Sequence, residues 1–168
     1  MKRIGIISDT HAYWDEKYEF YLKDCDEIWH AGDIGSLEVA DKFEAMKPIF
    51  RAVHGNCDGY DIRARYPETL RFKCEEVDVL LKHIGGYPGR YDYSVRNILY
   101  YSPPKLFVDG HSHILKIMPD KTLSLLHINP GAAGLQGFHK ERTIVRLTIE
   151  GNKMSDCEVI TLTNNRNK

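Results

Sequence analysis

Five short polar stretches follow apolar runs in this chain. Asp9-Thr10-His11 follows IGIIS, Gly32-Asp33 follows EIWHA, and Gly55-Asn56-Cys57-Asp58 follows IFRAVH. His83 follows VDVLLK, and Gly110-His111-Ser112-His113 follows LFVD. In an extended chain, side chains two apart point the same way, so His111 and His113 are expected to converge on one point. The donor set is two carboxylates (Asp9, Asp33), one amide oxygen (Asn56) and four imidazoles (His11, His83, His111, His113). That set exceeds the four ligands of a tetrahedral zinc. It suits two ions that share a carboxylate. Mixed nitrogen and oxygen donors, with no thiolate required, favour manganese, iron, zinc, cobalt or nickel over calcium or magnesium. Two divalent ions outweigh two carboxylates, so the site would attract a phosphate locally.

These stretches need a scaffold that delivers them to one place. Arg3 to Ser8, Glu27 to Ala31 and Ile49 to Val53 read as strands. Between them, Asp15 to Leu22 has helical spacing. Ser36 is an N-cap for a helix through Met46 with Leu37, Ala40 and Phe43 on one face. This βαβαβ pattern implies a parallel sheet covered by helices. Thr69 to Cys74 and Val77 to His83 form a hairpin, Tyr91 to Tyr101 a helix and Lys105 to Asp109 a strand. The remainder reads as strands over Leu115 to Met118, Leu123 to Ile128, Arg142 to Ile149 and Met154 to Leu162, with a turn at Gly151-Asn152. Parallel character thus gives way to antiparallel character, which two sheets packed face to face would accommodate. Ligands in open α/β sheets sit beyond the carboxyl ends of strands, so the five polar stretches are expected to share one edge. Gly32, Gly55 and Gly110 mark where the backbone turns sharply beside that site.

The chain has 168 residues, which we read as one domain spanning 1–168. A chain this long buries about 70% of its unfolded surface without staples. With 42% hydrophobic and 28% charged residues and a formal charge of −1, there is no global pull toward nucleic acid or a membrane. No GxxxxGK[ST] motif is present, which disfavours a P-loop nucleotide hydrolase. The N-terminal MKRIGIISDTH lacks the form of a signal peptide, and no run reaches membrane-spanning length. A cytoplasmic location is expected. Cys25, Cys57, Cys74 and Cys157 contain no CxxC pair and read as free thiols, with Cys57 a small buried filler and the other three packing residues.

The ordered set DTH, GD, GNCD, His83 and GHSH, with NPG at Asn129 to Gly131, resembles the calcineurin-like metallophosphoesterase superfamily, and most closely its small bacterial and archaeal phosphodiesterase branch. The resemblance spans nearly the whole chain. It implies a four-layer αββα sandwich, two mixed β-sheets flanked by helices. It also implies that Asp9, His11, Asp33 and His113 hold one divalent ion and that Asp33, Asn56, His83 and His111 hold the other, with Asp33 bridging. Manganese is the first choice of metal, with iron, zinc, nickel and cobalt the others. The implied substrate is a small phosphate ester, a diester ahead of a monoester, and self-association into a homo-oligomer is common among relatives. Two departures stand out. His83 precedes Ile84-Gly85-Gly86, where relatives often read His-Gly, and Cys57 stands where many members carry a histidine taken to protonate the leaving group.

The expected mechanism is in-line attack on phosphorus by a hydroxide bridging two ions about 3.5–4 Å apart. Asp33, Asn56 and His111 are the candidate catalytic residues among the ligands. Asp58 joins them by orienting a neighbouring group, or else is a turn or helix cap. Without an imidazole at position 57, esters with acidic leaving groups should be favoured. Arg90, within GGYPGRYDY, is a candidate for gripping substrate phosphate, while the tyrosines around it fit a turn and a helix face. His30 packs beneath the site, and His54, His127 and His139 read as structural or exposed. The alternative function is a non-catalytic protein-binding scaffold of the same fold, as in a eukaryotic retromer subunit. Such a scaffold can relax its metal ligands, whereas this chain keeps a suitable residue at every ligand position.

Overall fold

The computed structural model describes residues 1–162; residues 163–168 of the 1–168 span lie outside the described residues. The chain opens with β1 (Lys2–Ile7), α1 (Glu16–Leu22), β2 (Glu27–His30), α2 (Leu37–Glu44) and β3 (Ile49–Ala52). Side chains cap both helices: Ser36, the expected N-cap, accepts from the Val39 amide, and Asp15, expected as the first helical residue, instead caps α1 by accepting from the Lys17 amide. The expected helix through Met46 ends two residues earlier, at Glu44. Next come α3 (Tyr60–Arg65), the hairpin β4 (Thr69–Cys74) and β5 (Val77–Lys82), and a short ribbon of β6 (Gly86–Tyr87) and β7 (Arg90–Tyr91). Then follow α4 (Tyr93–Tyr101), β8 (Leu106–Val108), β9 (Leu115–Asp120), β10 (Leu125–Pro130), β11 (Arg142–Glu150) and β12 (Lys153–Leu162).

One sheet runs β12-β11-β1-β2-β3 and the other β4-β5-β8-β10-β9. In the first, β1, β2 and β3 are parallel and β11 and β12 antiparallel. In the second, β5, β8 and β10 are parallel, flanked by antiparallel β4 and β9. The period of two along each strand decides the layers. Ile4, Ile6, Trp29, Val79, Leu81, Val108 and Val145 point into the space between the sheets. Their neighbours Ile7, Ile28 and Ile144 point outward, onto Tyr18 and Leu22 of α1, Val39 and Phe43 of α2 and Ile62 of α3. On the far side, Leu80 and Phe107 meet Val95 and Leu99 of α4. The result is the expected order helix, sheet, sheet, helix.

Two elements differ from the sequence reading. α3 was not foreseen: it is a single short helix whose N-cap, Gly59, makes no side-chain bond, so it carries no capping signal. The helix expected from Tyr91 begins at Tyr93, because Asp92 caps it and Arg90-Tyr91 pair with Gly86-Tyr87 instead. No described helix is long and apolar enough to cross a membrane.

The parallel strands position the site. β1, β2 and β3 finish on one edge of their sheet, and β5 and β8 on one edge of theirs. The two edges meet, since His83 beyond β5 lies against Ala31 beyond β2, with Nδ1 2.7 Å from its carbonyl.

Candidate metal centre

Each of the two carboxylates gives one oxygen to the protein and presents the other. Asp9 is fully buried, and its Oδ2 accepts from Ser8 Oγ at 2.6 Å and from the His111 amide at 3.1 Å. Its Oδ1 faces His113 Nε2 at 3.2 Å, His11 Nε2 at 3.6 Å and His83 Nε2 at 3.9 Å. Asp33 Oδ1 accepts from the Cys57 amide at 2.8 Å, while Oδ2 lies 3.1 Å from His83 Nε2 and 3.7 Å from His11 Nε2. The Ala31 carbonyl can only accept, so His83 carries a proton on Nδ1 and turns Nε2 into the site. His111 Nδ1 is 3.0 Å from Asn56 Oδ1, the spacing of a hydrogen bond and equally of two donors on one ion.

Asp9 Oδ1, His11 Nε2 and His83 Nε2 are buried and lack a well-formed hydrogen bond. Buried polar atoms without partners are costly and uncommon. A cation among these three would remove that cost, so the residues fit a metal. Three ligand sets have donor atoms within 4.8 Å of one another: Asp9–His11–His113, Asp33–His83–His111, and His11–Asp33–Cys57. His111 and His113 therefore separate into different sets and do not converge on one point. The strand ends at Val108, and both residues take the left-handed conformation, with φ of 69° and 61°, so the same-side rule for extended chain does not apply.

The backbone is strained around the centre. Asp9, His11 and Asp33 also have positive φ, at 55°, 44° and 54°. Such conformations cost non-glycine residues about 1–2 kcal/mol each and persist where surrounding structure holds them. Gly32, at φ 103°, is required for a second reason: a Cβ there would lie 2.6 Å from His83 Nδ1. Electrostatics hold the charges in place. Burial pushes the Asp9 carboxyl upward, but His11 and His113 outweigh it and hold the group well below the usual carboxylate range. Asp33 is likewise raised by burial and lowered further by His83. The Asp9 carboxylate raises His11; burial lowers His83, and Asp33 more than offsets it. Metal binding would displace protons from these imidazoles.

Several residues support the centre from behind the donor atoms. Asp58, expected to orient a neighbouring group, accepts backbone amides: Gly55 at 2.8 Å, Gly35 at 2.8 Å and Ile34 at 3.2 Å, which ties the loop after β3 to the loop after β2. Arg63 of the unforeseen α3 donates to the carbonyls of Gly55, Asn56 and Asp58 and holds the first of these loops. Asn129, from the NPG stretch, donates to the Gly110 carbonyl at 2.9 Å and to Ser112 Oγ at 3.0 Å. Only the GNCD and NPG stretches signalled any of this in sequence. His30 packs beneath the site as expected; Nδ1 accepts from the Gly32 amide and Nε2 meets Thr10 Oγ1 at 3.0 Å. Burial lowers its pKa to about 4, so it is neutral.

Two cysteine placements are corrected. Cys57 is exposed, not a buried filler: its amide is anchored on Asp33 and its sulfur sits at the surface within reach of Asp33 and His11; Cys157 is exposed too, and Cys25 and Cys74 are buried. Burial, followed by the Asp33 charge, raises the Cys57 thiol. Arg90 is exposed on the ribbon and does not line the cavity of about 340 Å³ beside Asn56 and His83. The cations lining that cavity are Arg63 and Lys82, the latter 3.0 Å from Glu68.

A layered α/β sandwich with carboxylates and imidazoles gathered at one edge is a metal-binding architecture. Residues 1–152 match the profile of the calcineurin-like phosphoesterase superfamily domain. A curated protein of Methanothermobacter thermautotrophicus named "Probable metallophosphoesterase" is 28% identical over 165 residues, which cover 94% of this chain and 91% of that protein. A solved archaeal phosphodiesterase superposes with a TM-score of 0.73 at 23% identity, covering 95% of this chain and 99% of its own. Vps29 of Entamoeba histolytica, solved in complex with zinc, has a TM-score of 0.73 at 17% identity, covering 95% and 98%. The two structural likenesses bear on the fold. The chain belongs to the calcineurin-like phosphoesterase superfamily.

Proposed function

We propose that the protein is a metal-dependent phosphoesterase acting on small phosphodiesters, with monoesters a secondary class. Two divalent ions, manganese foremost, would be held by Asp9, His11, Asp33 and His113 and by Asp33, Asn56, His83 and His111. The observation that carries this reading is the trio of buried, unpartnered atoms Asp9 Oδ1, His11 Nε2 and His83 Nε2. Their cost makes sense when cations complete the site. When bound, such ions acidify water and neutralise charge on a phosphoryl group.

The chain's own residues do the rest. Asp33 Oδ2 faces imidazoles of both ligand sets, His11 and His83, which is the position a shared ligand must take. The Cys57 amide and the Ala31 carbonyl orient Asp33 and His83. The adjoining cavity is lined by Arg63 and Lys82 and also by Glu68 and Asp92, so its charges balance and the phosphate attraction falls to the metals. Position 57 offers no imidazole to protonate a departing alkoxide, which supports a preference for acidic leaving groups. The solved archaeal phosphodiesterase supports the diester reading, and the zinc complex of Vps29 supports metal binding by this fold.

The test is hydrolysis of an aryl phosphodiester by chelator-treated protein with and without manganese, alongside Asp33→Ala. Manganese-dependent turnover that Asp33→Ala abolishes is the expected result. Tight manganese binding with no turnover of any ester would favour the protein-binding scaffold instead.

A further inference from the structure

We propose that Cys57 is a thiolate ligand for thiophilic ions at this centre, completing a third ligand set with His11 and Asp33. This rests on the metal reading of the site but not on turnover. The Cys57 sulfur, His11 Nε2 and an Asp33 carboxylate oxygen lie within 4.8 Å of one another. His11 Nε2 lacks a hydrogen-bond partner on a side chain only 7% exposed and faces the same space, where one ion could take it together with the sulfur. The Cys57 amide is pinned to Asp33 Oδ1 at 2.8 Å, which holds the sulfur beside the carboxylate. The exposed side chain remains reachable from solvent.

Donor softness then sorts the ions. Zinc and cadmium bond thiolate readily, whereas manganese prefers oxygen and imidazole. As the metal–sulfur bond forms, the S–H bond breaks and its proton passes to the buffer; nothing is oxidised or reduced. A sulfur seated on the ion takes a position that water or a phosphoryl oxygen would otherwise occupy. Manganese leaves that position open. The identity of the bound metal thereby sets whether the centre is accessible to an ester.

Titration of the full chain with cadmium, followed by thiolate-to-cadmium charge-transfer absorption, tests this directly. A Cys157→Ser background removes the other exposed thiol; Cys25 and Cys74, at 6% and 0% exposure, are sealed in the core. The band should rise to saturation in Cys157→Ser and be lost in Cys57→Ser/Cys157→Ser, with circular dichroism showing both folded. Manganese binding, read by electron paramagnetic resonance, should persist in both. A band that survives loss of Cys57 overturns the proposal. So does cadmium that displaces manganese from Cys157→Ser without producing a band, a result that leaves the metal reading intact. Failure of either protein to bind manganese or cadmium at all would remove the metal reading together with the proposal.

Discussion

Asp33 Oδ2 and His83 Nε2 approach to 3.1 Å across the junction of the two sheets. Asp33 follows β2 of one sheet and His83 follows β5 of the other, so the pair forms only once the sandwich has closed. Its geometry depends on two backbone features beside it. The Ala31 carbonyl fixes the imidazole, and Gly32 leaves room for the ring.

Gly32→Ala should therefore impair the centre rather than merely the fold. The added methyl meets the His83 ring, and φ of 103° strains any alanine there. We expect manganese affinity to fall by about 10- to 100-fold, the range seen when ligand orientation is lost. Calorimetric titration with manganese measures this. Unchanged affinity in a folded variant would show that the ring does not need this clearance.

Asp58→Ala removes the acceptor for three backbone amides that join two site loops. Each buried amide left unpaired costs about 1–3 kcal/mol. Water entering the vacated space recovers part of this, so a net loss of about 3 kcal/mol is expected in urea denaturation. A change below about 0.5 kcal/mol would mean that the loops hold without the carboxylate.

His30 makes acid destabilising. Its folded pKa of about 4, set by burial, lies below the ordinary value of about 6.5 that the unfolded chain retains. Between those values the unfolded state binds a proton that the folded state refuses. The stabilising contribution is thus full above about pH 6.5, declines as pH falls and levels off below about pH 4. From pH 7 to 4.5, wild type should lose on the order of 2 kcal/mol more stability than His30→Gln, at about 1.4 kcal/mol per pKa unit. Parallel losses in the two proteins would contradict this assignment.

The leaving group should control the rate. With manganese bound and no imidazole at position 57, turnover of diesters should drop steeply as the leaving alcohol becomes less acidic. Cys57→His should flatten that dependence by about 100-fold at the basic end, a common contribution of general acid catalysis. Measuring kcat/KM across substituted aryl and alkyl diesters gives the slope for each protein. Identical slopes would exclude a proton-transfer role for this position.

Local pattern carried much of the architecture. The apolar β-branched run of Ile4, Ile6 and Ile7, the cap at Ser36, and the turn at Gly151-Asn152 all act over a few residues, so the sequence displays them. The placement of Asp9, Asp33 and His83 just past strand ends was readable for the same reason. α3 and the ribbon at β6 and β7 were not, because short elements lacking capping or alternation draw their stability from what they pack against.

What the sequence determined by itself is the inventory and its order: which donors exist, and that each follows a strand running toward a common edge. Tertiary structure decided which of those donors lie within reach of one another. Left-handed turns at His111 and His113 send neighbouring imidazoles to different ligand sets, and Cys57 emerges at the surface next to Asp33. The physical reason is range. A residue's type and its neighbours govern local conformation, whereas the direction of a side chain in a strained loop is imposed by hydrogen bonds such as Asn129 to Gly110 and Asp58 to Gly55, Gly35 and Ile34, most of them between segments far apart in the chain.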